Sequence, residues 1–226
     1  MSTLVVFDCD GVLVDSEVLV VGIEAELLTD AGIGMDAAGV VDRYVGLSEA
    51  DMAAAIEREF SVALDAAFWD RRRDLVLEAL RTRLEPVAGI AAVLERIGSP
   101  ICLASSSDHA RIASSLARTG LLGHFPDDRR FSATDVSRGK PAPDLFLHAA
   151  SCCGHAPDDC VVVEDSPHGV AAAVAAGMAV IGFAGGGHHT PAFGARLREA
   201  GAPNVVPDAS ALHDALRDHG VALSDG

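Results

Sequence analysis

Short apolar segments that alternate with longer segments of helical periodicity are the feature that most constrains the fold of this chain. The first apolar segment, LVVF at residues 4–7, is rich in β-branched side chains and runs directly into acidic residues. Such a run is typical of a strand that is buried on both faces of a parallel sheet. Alternating strands and helices therefore predict an α/β fold built on a parallel sheet. The predicted strands are residues 4–7, 101–104, 161–163, 179–181 and 204–206, and the predicted core helices are residues 89–97, 108–119, 144–153, 167–176, 191–200 and 208–218.

Residues 16–83 interrupt this alternation, because they contain helical periodicity and no convincing strand. We expect an all-helical insertion there, placed directly after the first strand. Its two connections, near residues 13–17 and 82–86, are expected to lie close together and to act as a hinge. The four helices predicted in the insertion are residues 17–31, 36–44, 48–60 and 64–82.

The charge of the chain excludes several classes of partner. It has 33 acidic and 17 basic residues, which give a formal net charge of −16. Such a field repels nucleic-acid phosphates and anionic lipid, so we expect neither nucleic acid nor a membrane as a partner. The chain begins without a basic segment ahead of its apolar run, and its five cysteines form no CxxC pair. These features favour a cytoplasmic protein with reduced thiols, and no obligate protein partner is inferred.

Polar residues follow the predicted strands at the points where those strands end. Because ligands bind beyond the carboxyl ends of the strands in open parallel sheets, we expect these residues to meet at one edge. The only lysine of the chain is also expected there, directly ahead of a predicted helix. The residues concerned are Asp8 and Asp10 after the first strand, Ser105, Ser106 and Ser107 after the second, Glu164 and Asp165 after the third, and Lys140.

Several carboxylates at one sheet edge repel one another, and a divalent cation relieves that repulsion. An all-oxygen set of ligands favours Mg²⁺. Asp8 and Asp165 are expected to bind the ion directly. Glu164 is expected either to bind it directly or to hold a metal-bound water.

A metal ion and a lysine at this edge would make it able to bind a phosphoryl group despite the acidic surroundings. Asp8 is placed to attack phosphorus as a carboxylate nucleophile and to form an aspartyl phosphate. Asp10, two residues further on, is placed to protonate the leaving oxygen and later to activate water. Ser105 is expected to hold phosphoryl oxygens, and Lys140 supplies a compact positive charge.

Four motifs, in order along the chain, carry a resemblance to a known family. FDCDGVLVDS at residues 7–16 resembles the DxDGxLxDS signature of the haloacid dehalogenase-like hydrolase superfamily. Ser105 matches that superfamily's strand-end Ser/Thr, and Lys140 in GKPAPD matches its lysine motif. VEDSPHG at residues 163–169 resembles its acidic metal motif. The helical insertion is similar to that of the subgroup containing β-phosphoglucomutases and small sugar-phosphate or phosphoglycolate phosphatases.

The resemblance implies a Rossmann-like parallel sheet core formed by residues 1–15 and 84–226, with catalytic function. It implies that residues 16–83 form a helical cap that determines substrate specificity; we use "helical cap" for these residues below. It also implies a Mg²⁺ cofactor, Asp8 as the nucleophile, and Asp10 as the acid/base with its backbone carbonyl on the metal.

Two other chemistries of the superfamily do not suit this chain. A haloalkanoate dehalogenase needs no metal and lacks the second aspartate, whereas Asp10, Glu164 and Asp165 are all present here. A phosphonatase needs a cap lysine to form a Schiff base, and the only lysine of this chain is Lys140, in the core.

A phosphosugar mutase is the remaining alternative. The mutase branch carries a histidine shortly after the DS pair, but residues 17–20 read EVLV. It also carries basic cap residues that bind a second phosphate, where this chain has Val45 and Glu49. Because Glu49 is expected to repel that phosphate, we favour hydrolysis of a small phosphorylated metabolite, a sugar or sugar-acid phosphate.

Further residues are expected near the substrate. Arg43, Tyr44 and Ser106 are predicted to contact it. Residues 15–17 are predicted either to cap the following helix or to contact substrate. His188 and His189, which follow the glycines at 185–187, are expected to lie in a solvated loop; the alternative is that they line the mouth of the pocket.

Overall fold

The computed structural model describes residues 2–45 and 47–224, and its centre is a six-stranded sheet. The strand order is β3-β2-β1-β4-β5-β6, and every neighbouring pair is parallel. The predicted α/β fold with a Rossmann-like parallel sheet is confirmed. The strands are β1 (Leu4–Phe7), β2 (Ile101–Ser105), β3 (Arg130–Ser132), β4 (Cys160–Glu164), β5 (Ala179–Phe183) and β6 (Asn204–Val206).

Ten α-helices accompany the sheet in the described part of the chain, all within two residues of their predicted bounds. Three helices of the cap begin at side-chain N-caps, because Asp36, Ser48 and Asp65 each accept a hydrogen bond from a backbone N–H three residues later. Among the helices of residues 2–45 and 47–224, none has both the length and the apolar character of a membrane span. The helices are α1 (Ser16–Asp30), α2 (Ala37–Tyr44), α3 (Glu49–Phe60), α4 (Ala66–Arg83), α5 (Ile90–Arg96), α6 (His109–Arg118), α7 (Asp144–Cys152), α8 (Pro167–Ala175), α9 (Pro191–Glu199) and α10 (Ala209–Asp218).

Strand β1 lies in the middle of the sheet, and its four side chains are fully buried. Successive side chains of a strand point to opposite faces. Val5 and Phe7 accordingly belong to one apolar cluster and Leu4 and Val6 to the other. The second cluster continues into the helical cap, since it also contains Leu28 of α1. The apolar run at 4–7 is therefore buried on both faces, as its composition predicts.

The two connections of the helical cap lie side by side. The backbone N–H of Asp15 donates to the carbonyl of Glu85 (3.0 Å), and that of Val87 donates to the carbonyl of Leu13 (3.0 Å). Val14 also forms an isolated antiparallel bridge with Pro86. The chain therefore leaves the core and returns to it at one place. The division into a catalytic core and a moving cap stays a prediction.

The strand order reverses beside β1, because β2 lies on one side of it and β4 on the other. In doubly wound sheets this switch point, at the carboxyl ends of the strands, forms the crevice in which ligands bind. The residues that directly follow β1 and β4 therefore stand at the edge where a site is expected.

Candidate active site

Lys140 is the centre of this edge. Its side chain is 4% exposed, and Nζ donates to Asp8 Oδ1 (2.6 Å), Glu164 Oε1 (2.6 Å) and the carbonyl of Ala104 (3.0 Å). An ammonium group has three N–H donors, so all three have partners here. Burial by itself would lower the pKa of Lys140, but Asp8 and Glu164 outweigh it and the pKa is raised. The lysine therefore stays charged, and its three hydrogen bonds connect the carboxyl ends of β1, β2 and β4.

Three buried carboxylates converge beside Lys140. Asp8, Glu164 and Asp165 each offer an oxygen, and these oxygens lie within 4.8 Å of one another. Burial raises the pKa of Asp8 to about 7, against the lowering effect of Lys140. Burial, followed by repulsion from Glu164 and Asp8, also raises the pKa of Asp165 well above its usual range. A buried divalent cation would offset these costs, so the oxygen donors fit Mg²⁺.

Glu164 is held on both of its oxygens. Oε1 accepts from Lys140, and Oε2 accepts from the backbone N–H and the hydroxyl of Ser166 (both 2.9 Å). A Cβ on Gly169 would lie 1.8 Å from Glu164 Oε1, so only glycine fits at that position of α8. The sequence EDSPHG after β4 therefore fixes the orientation of this carboxylate.

The carboxylate of Asp10 is held by hydroxyl and guanidinium donors. Oδ1 accepts from the hydroxyl of Ser16 (2.7 Å) and from Arg111 (3.1 Å), and Oδ2 accepts from the hydroxyl of Ser107 (3.0 Å). Its side chain is not a member of the three-carboxylate group that could hold a metal. Sequence reasoning missed Arg111. The available signal was its position in the first turn of α6, the helix that follows the end of β2.

One cavity of about 300 Å³ is lined by all of the predicted catalytic and metal-binding residues and by Ser106. Ser105 is buried at its base, where its Oγ accepts the backbone N–H of Ser107 (3.0 Å). Glu17 also lines the cavity, and burial, with further repulsion from Asp10, raises the pKa of Glu17 to about 7. The structure thus brings the residues at the strand ends together around a space of ligand size.

Arg43 and Tyr44 do not reach this cavity. The exposed Arg43 forms an ion pair with Glu59. Tyr44 is 4% exposed and packs in the apolar cluster that extends from the sheet into the helical cap. Val45, the next residue, is the one that lines the cavity. Contact of Arg43 or Tyr44 with a substrate stays a prediction, and this arrangement does not favour it.

The loop after β5 packs closely on the segment that follows β1. Asp15 occupies the N-cap position of α1, but its side chain makes no capping hydrogen bond there; its carboxylate instead accepts the backbone N–H of Gly187 (3.1 Å). The expectation of a solvated loop is wrong for His188, which is 4% exposed and whose Nε2 lies 3.6 Å from Asp165 Oδ2. Burial, followed by the neighbouring His189, lowers the pKa of His188 to about 3, so its ring is neutral.

Fold and site together define a class of protein: a doubly wound α/β enzyme with buried carboxylates and a single lysine at the switch point of its sheet. Residues 3–177 match the family model for haloacid dehalogenase-like hydrolase. The chain belongs to this family, and the resemblance carried by its four motifs is confirmed.

Known relatives cover nearly the whole chain. The chain is 32% identical over 188 residues to the 6-phosphogluconate phosphatase of Escherichia coli (strain K12), which covers 83% of this chain and 85% of the relative. A haloacid dehalogenase-like protein of Agrobacterium tumefaciens str. C58 has a similar structure, with a TM-score of 0.92, 37% identity, and coverage of 96% of this chain and 99% of that chain. A haloacid dehalogenase family hydrolase of Deinococcus radiodurans R1, with bound phosphate and sodium, has a TM-score of 0.90, 29% identity, and coverage of 100% and 99%.

Proposed function

We propose that the protein is a Mg²⁺-dependent phosphatase that hydrolyses a small phosphorylated metabolite, a sugar or sugar-acid phosphate, through an aspartyl phosphate on Asp8. The observation that carries this proposal is the position of Asp8, a buried carboxylate that accepts a hydrogen bond from Lys140 and lines the cavity. The similarity to a 6-phosphogluconate phosphatase and to a hydrolase with bound phosphate supports the substrate class.

Asp8 and Asp165 would hold Mg²⁺ directly, together with the backbone carbonyl of Asp10. When bound, the ion supplies positive charge that offsets the buried carboxylates and the incoming phosphoryl group. Both oxygens of Glu164 already accept hydrogen bonds from Lys140 and Ser166, which supports a role in holding water rather than direct ligation. Lys140 keeps Asp8 ionised enough to act as a nucleophile by placing an ammonium against its Oδ1.

The reaction proceeds in two displacements at phosphorus. In the first, a bond forms between an Asp8 carboxylate oxygen and phosphorus, the ester P–O bond breaks, and Asp10 gives a proton to the leaving oxygen. In the second, Asp10 takes a proton from a water molecule. The water oxygen attacks phosphorus, and the bond between phosphorus and the Asp8 oxygen breaks. Ser16, Ser107 and Arg111 orient Asp10 for both transfers. Because Ser105 Oγ accepts a backbone N–H, its own O–H is able to donate to a phosphoryl oxygen.

Hydrolysis is better supported than mutase chemistry by the charges around the cavity. Among residues 2–45 and 47–224, the basic residues that line it are Lys140 and Arg111, and both lie outside the helical cap. Glu49 does not line the cavity, and it pairs with Arg72 (3.1 Å), so the argument for hydrolysis rests on missing cap bases rather than on repulsion by Glu49. Gly46, which directly follows Val45 in the sequence, lies outside the described residues. A sugar bisphosphate that primes an isomerisation would identify a mutase instead.

The proposal keeps three expectations that rest on the sequence alone. They are a cytoplasmic location, the absence of nucleic-acid and membrane partners, and the absence of an obligate protein partner.

Hydrolysis of a chromogenic aryl phosphate tests the proposal. Turnover is expected in the presence of Mg²⁺, and it is expected to disappear with EDTA and to return when Mg²⁺ is restored. In Asp8→Asn, turnover is expected to fall by more than about 10³-fold. Asp158→Asn, at an exposed carboxylate in a turn before β4, is the matched control and is expected to keep wild-type turnover. Turnover that survives both chelation and Asp8→Asn would contradict the mechanism.

A further inference from the structure

A second group of potential metal ligands lies beside the first. Asp165, His188 and His189 each offer one ligand atom, and these atoms lie within 4.8 Å of one another. We call these three residues the His–Asp cluster. Asp165 follows β4, and the two histidines come from the loop between β5 and α9. Asp165 is also a member of the three-carboxylate group, so the two groups share this carboxylate.

The ring nitrogens of the cluster are poorly satisfied by the protein. His188 is 4% exposed, and its Nδ1 has no hydrogen-bond partner among the described residues. Its Nε2 lies 3.6 Å from Asp165 Oδ2, beyond normal hydrogen-bond distance. His189 faces a carbonyl oxygen with each nitrogen, Gly186 at 3.3 Å and Asp165 at 3.4 Å. A neutral imidazole has one N–H, so at least one of these nitrogens presents a lone pair to an oxygen.

Buried polar groups in proteins almost always have a partner, and each exception needs a physical reason. A neutral imidazole nitrogen with a free lone pair is the form that binds a metal ion. A cation would therefore satisfy lone pairs that the described contacts leave without donors.

The loop that carries the two histidines is built for close packing. A Cβ on Gly185 would lie 2.3 Å from Phe183 Cζ, one on Gly186 would lie 3.0 Å from the carbonyl of Gly11, and one on Gly187 would lie 2.8 Å from Val18 Cγ2. Three consecutive glycines thus let the loop approach neighbouring segments and bring both rings to Asp165. A loop that only spans solvent would not require this approach.

We propose that Asp165, His188 and His189 form a second divalent-metal site, which takes a first-row transition metal of the Zn²⁺ type. Two imidazole nitrogens and one carboxylate are a ligand set that suits Zn²⁺, whereas Mg²⁺ prefers oxygen ligands. His188 and Asp165 both line the cavity, so the site is reached from the same opening as the three-carboxylate group. The proposal does not depend on phosphatase activity, because Zn²⁺ binding is measured without substrate.

Calorimetric titration with Zn²⁺ in the presence of excess Mg²⁺ tests the site. All proteins carry Cys152→Ser, because the exposed Cys152 Sγ lies 3.8 Å from His148 Nε2 and would bind Zn²⁺ on its own. One Zn²⁺ per chain is expected. His188→Asn and His189→Asn are each expected to weaken binding by at least about 10-fold, since loss of an outer-shell partner alone costs about 10–100-fold. His168→Asn, at an exposed histidine three residues beyond Asp165, is the matched control and is expected to bind like the parent.

X-ray absorption at the zinc edge adds a readout that needs no histidine variant, so a variant that fails to fold does not decide the test. The expected Zn²⁺ environment has imidazole nitrogens at about 2.0–2.1 Å and no sulfur. The proposal is overturned if Zn²⁺ does not bind in the presence of Mg²⁺, or if its environment lacks imidazole. It is also overturned if both histidine variants fold and bind Zn²⁺ as the parent does.

Discussion

Removal of the buried ammonium of Lys140 is the perturbation whose effect on stability follows most directly from the structure. In Lys140→Met the side chain keeps most of its length, but Asp8 and Glu164 lose a charged partner at 2.6 Å each. Their side chains are 11% and 1% exposed, so water does not replace the lysine. Removing one partner from a buried ion pair costs about 3–5 kcal/mol. We expect a loss of that size in the free energy of unfolding at neutral pH without Mg²⁺.

Thermal and urea denaturation measure this loss. For a chain of this length, about 3–5 kcal/mol corresponds to a fall of about 6–20 °C in Tm. The loss is expected to shrink as the pH falls. Burial already raises the pKa of Asp8, and the variant lacks the lysine that opposes this rise, so protonation of Asp8 stabilises the variant more than the wild type. Glu164→Gln in the Lys140→Met background is expected to restore part of the stability, since it removes one of the two buried charges.

Arg138→Met is the matched control for this substitution. Arg138 lies two residues from Lys140 and pairs with Asp144 at 2.9 Å, but its side chain is 70% exposed. An exposed ion pair contributes less than about 1 kcal/mol, so the control is expected to unfold close to the wild type. If Lys140→Met were as stable as Arg138→Met near neutral pH, the reasoning about the buried lysine would be refuted.

Three further predictions concern other parts of the site. Gly169→Ala is expected to lower the free energy of unfolding by about 1–3 kcal/mol, because the new Cβ would overlap Glu164. The control is Gly123→Ala, whose Cβ meets nothing within 4 Å, and its free energy of unfolding is expected to stay within about 0.5 kcal/mol of the wild-type value. The rise in Tm caused by Mg²⁺ is expected to be larger near pH 8 than near pH 5, because Asp8 and Asp165, whose pKa values are raised, must lose protons to bind the ion. An equal rise in Tm at the two pH values would contradict the burial of these carboxyls. Arg111→Gln is expected to lower kcat for an aryl phosphate about 10-fold or more with a smaller change in KM, since Arg111 orients Asp10; a change in KM alone would argue for a role in substrate binding.

Most of the fold could be predicted because the strands next to β1 are continuous apolar runs. CVVVE at β4 is an example, since a strand covered on both faces leaves this signal in its own sequence. Strand β3 was missed. Its three residues, Arg130–Ser132, include one apolar side chain, and it lies at the edge of the sheet where no such run is required.

The sequence predicts the site residues that belong to local motifs at the ends of strands, but not those that other parts of the fold bring to the site. Asp8, Lys140 and Asp165 are recognisable because their motifs are local in sequence. Arg111 was missed because its contact with Asp10 depends on where α6 begins and on the reach of a long side chain. His188 was expected in solvent because glycine-rich sequence is typical of loops, and only the close packing against Gly11 and Val18 buries it.

The stereochemical course at phosphorus tests the central claim of attack by Asp8 most directly. The substrate is a phosphate ester made chiral at phosphorus by isotopic labelling, hydrolysed in labelled water by the Mg²⁺-loaded enzyme. Two successive in-line displacements, first by Asp8 and then by water, predict net retention of configuration. Net inversion would mean a single displacement by water and would contradict an aspartyl phosphate on Asp8.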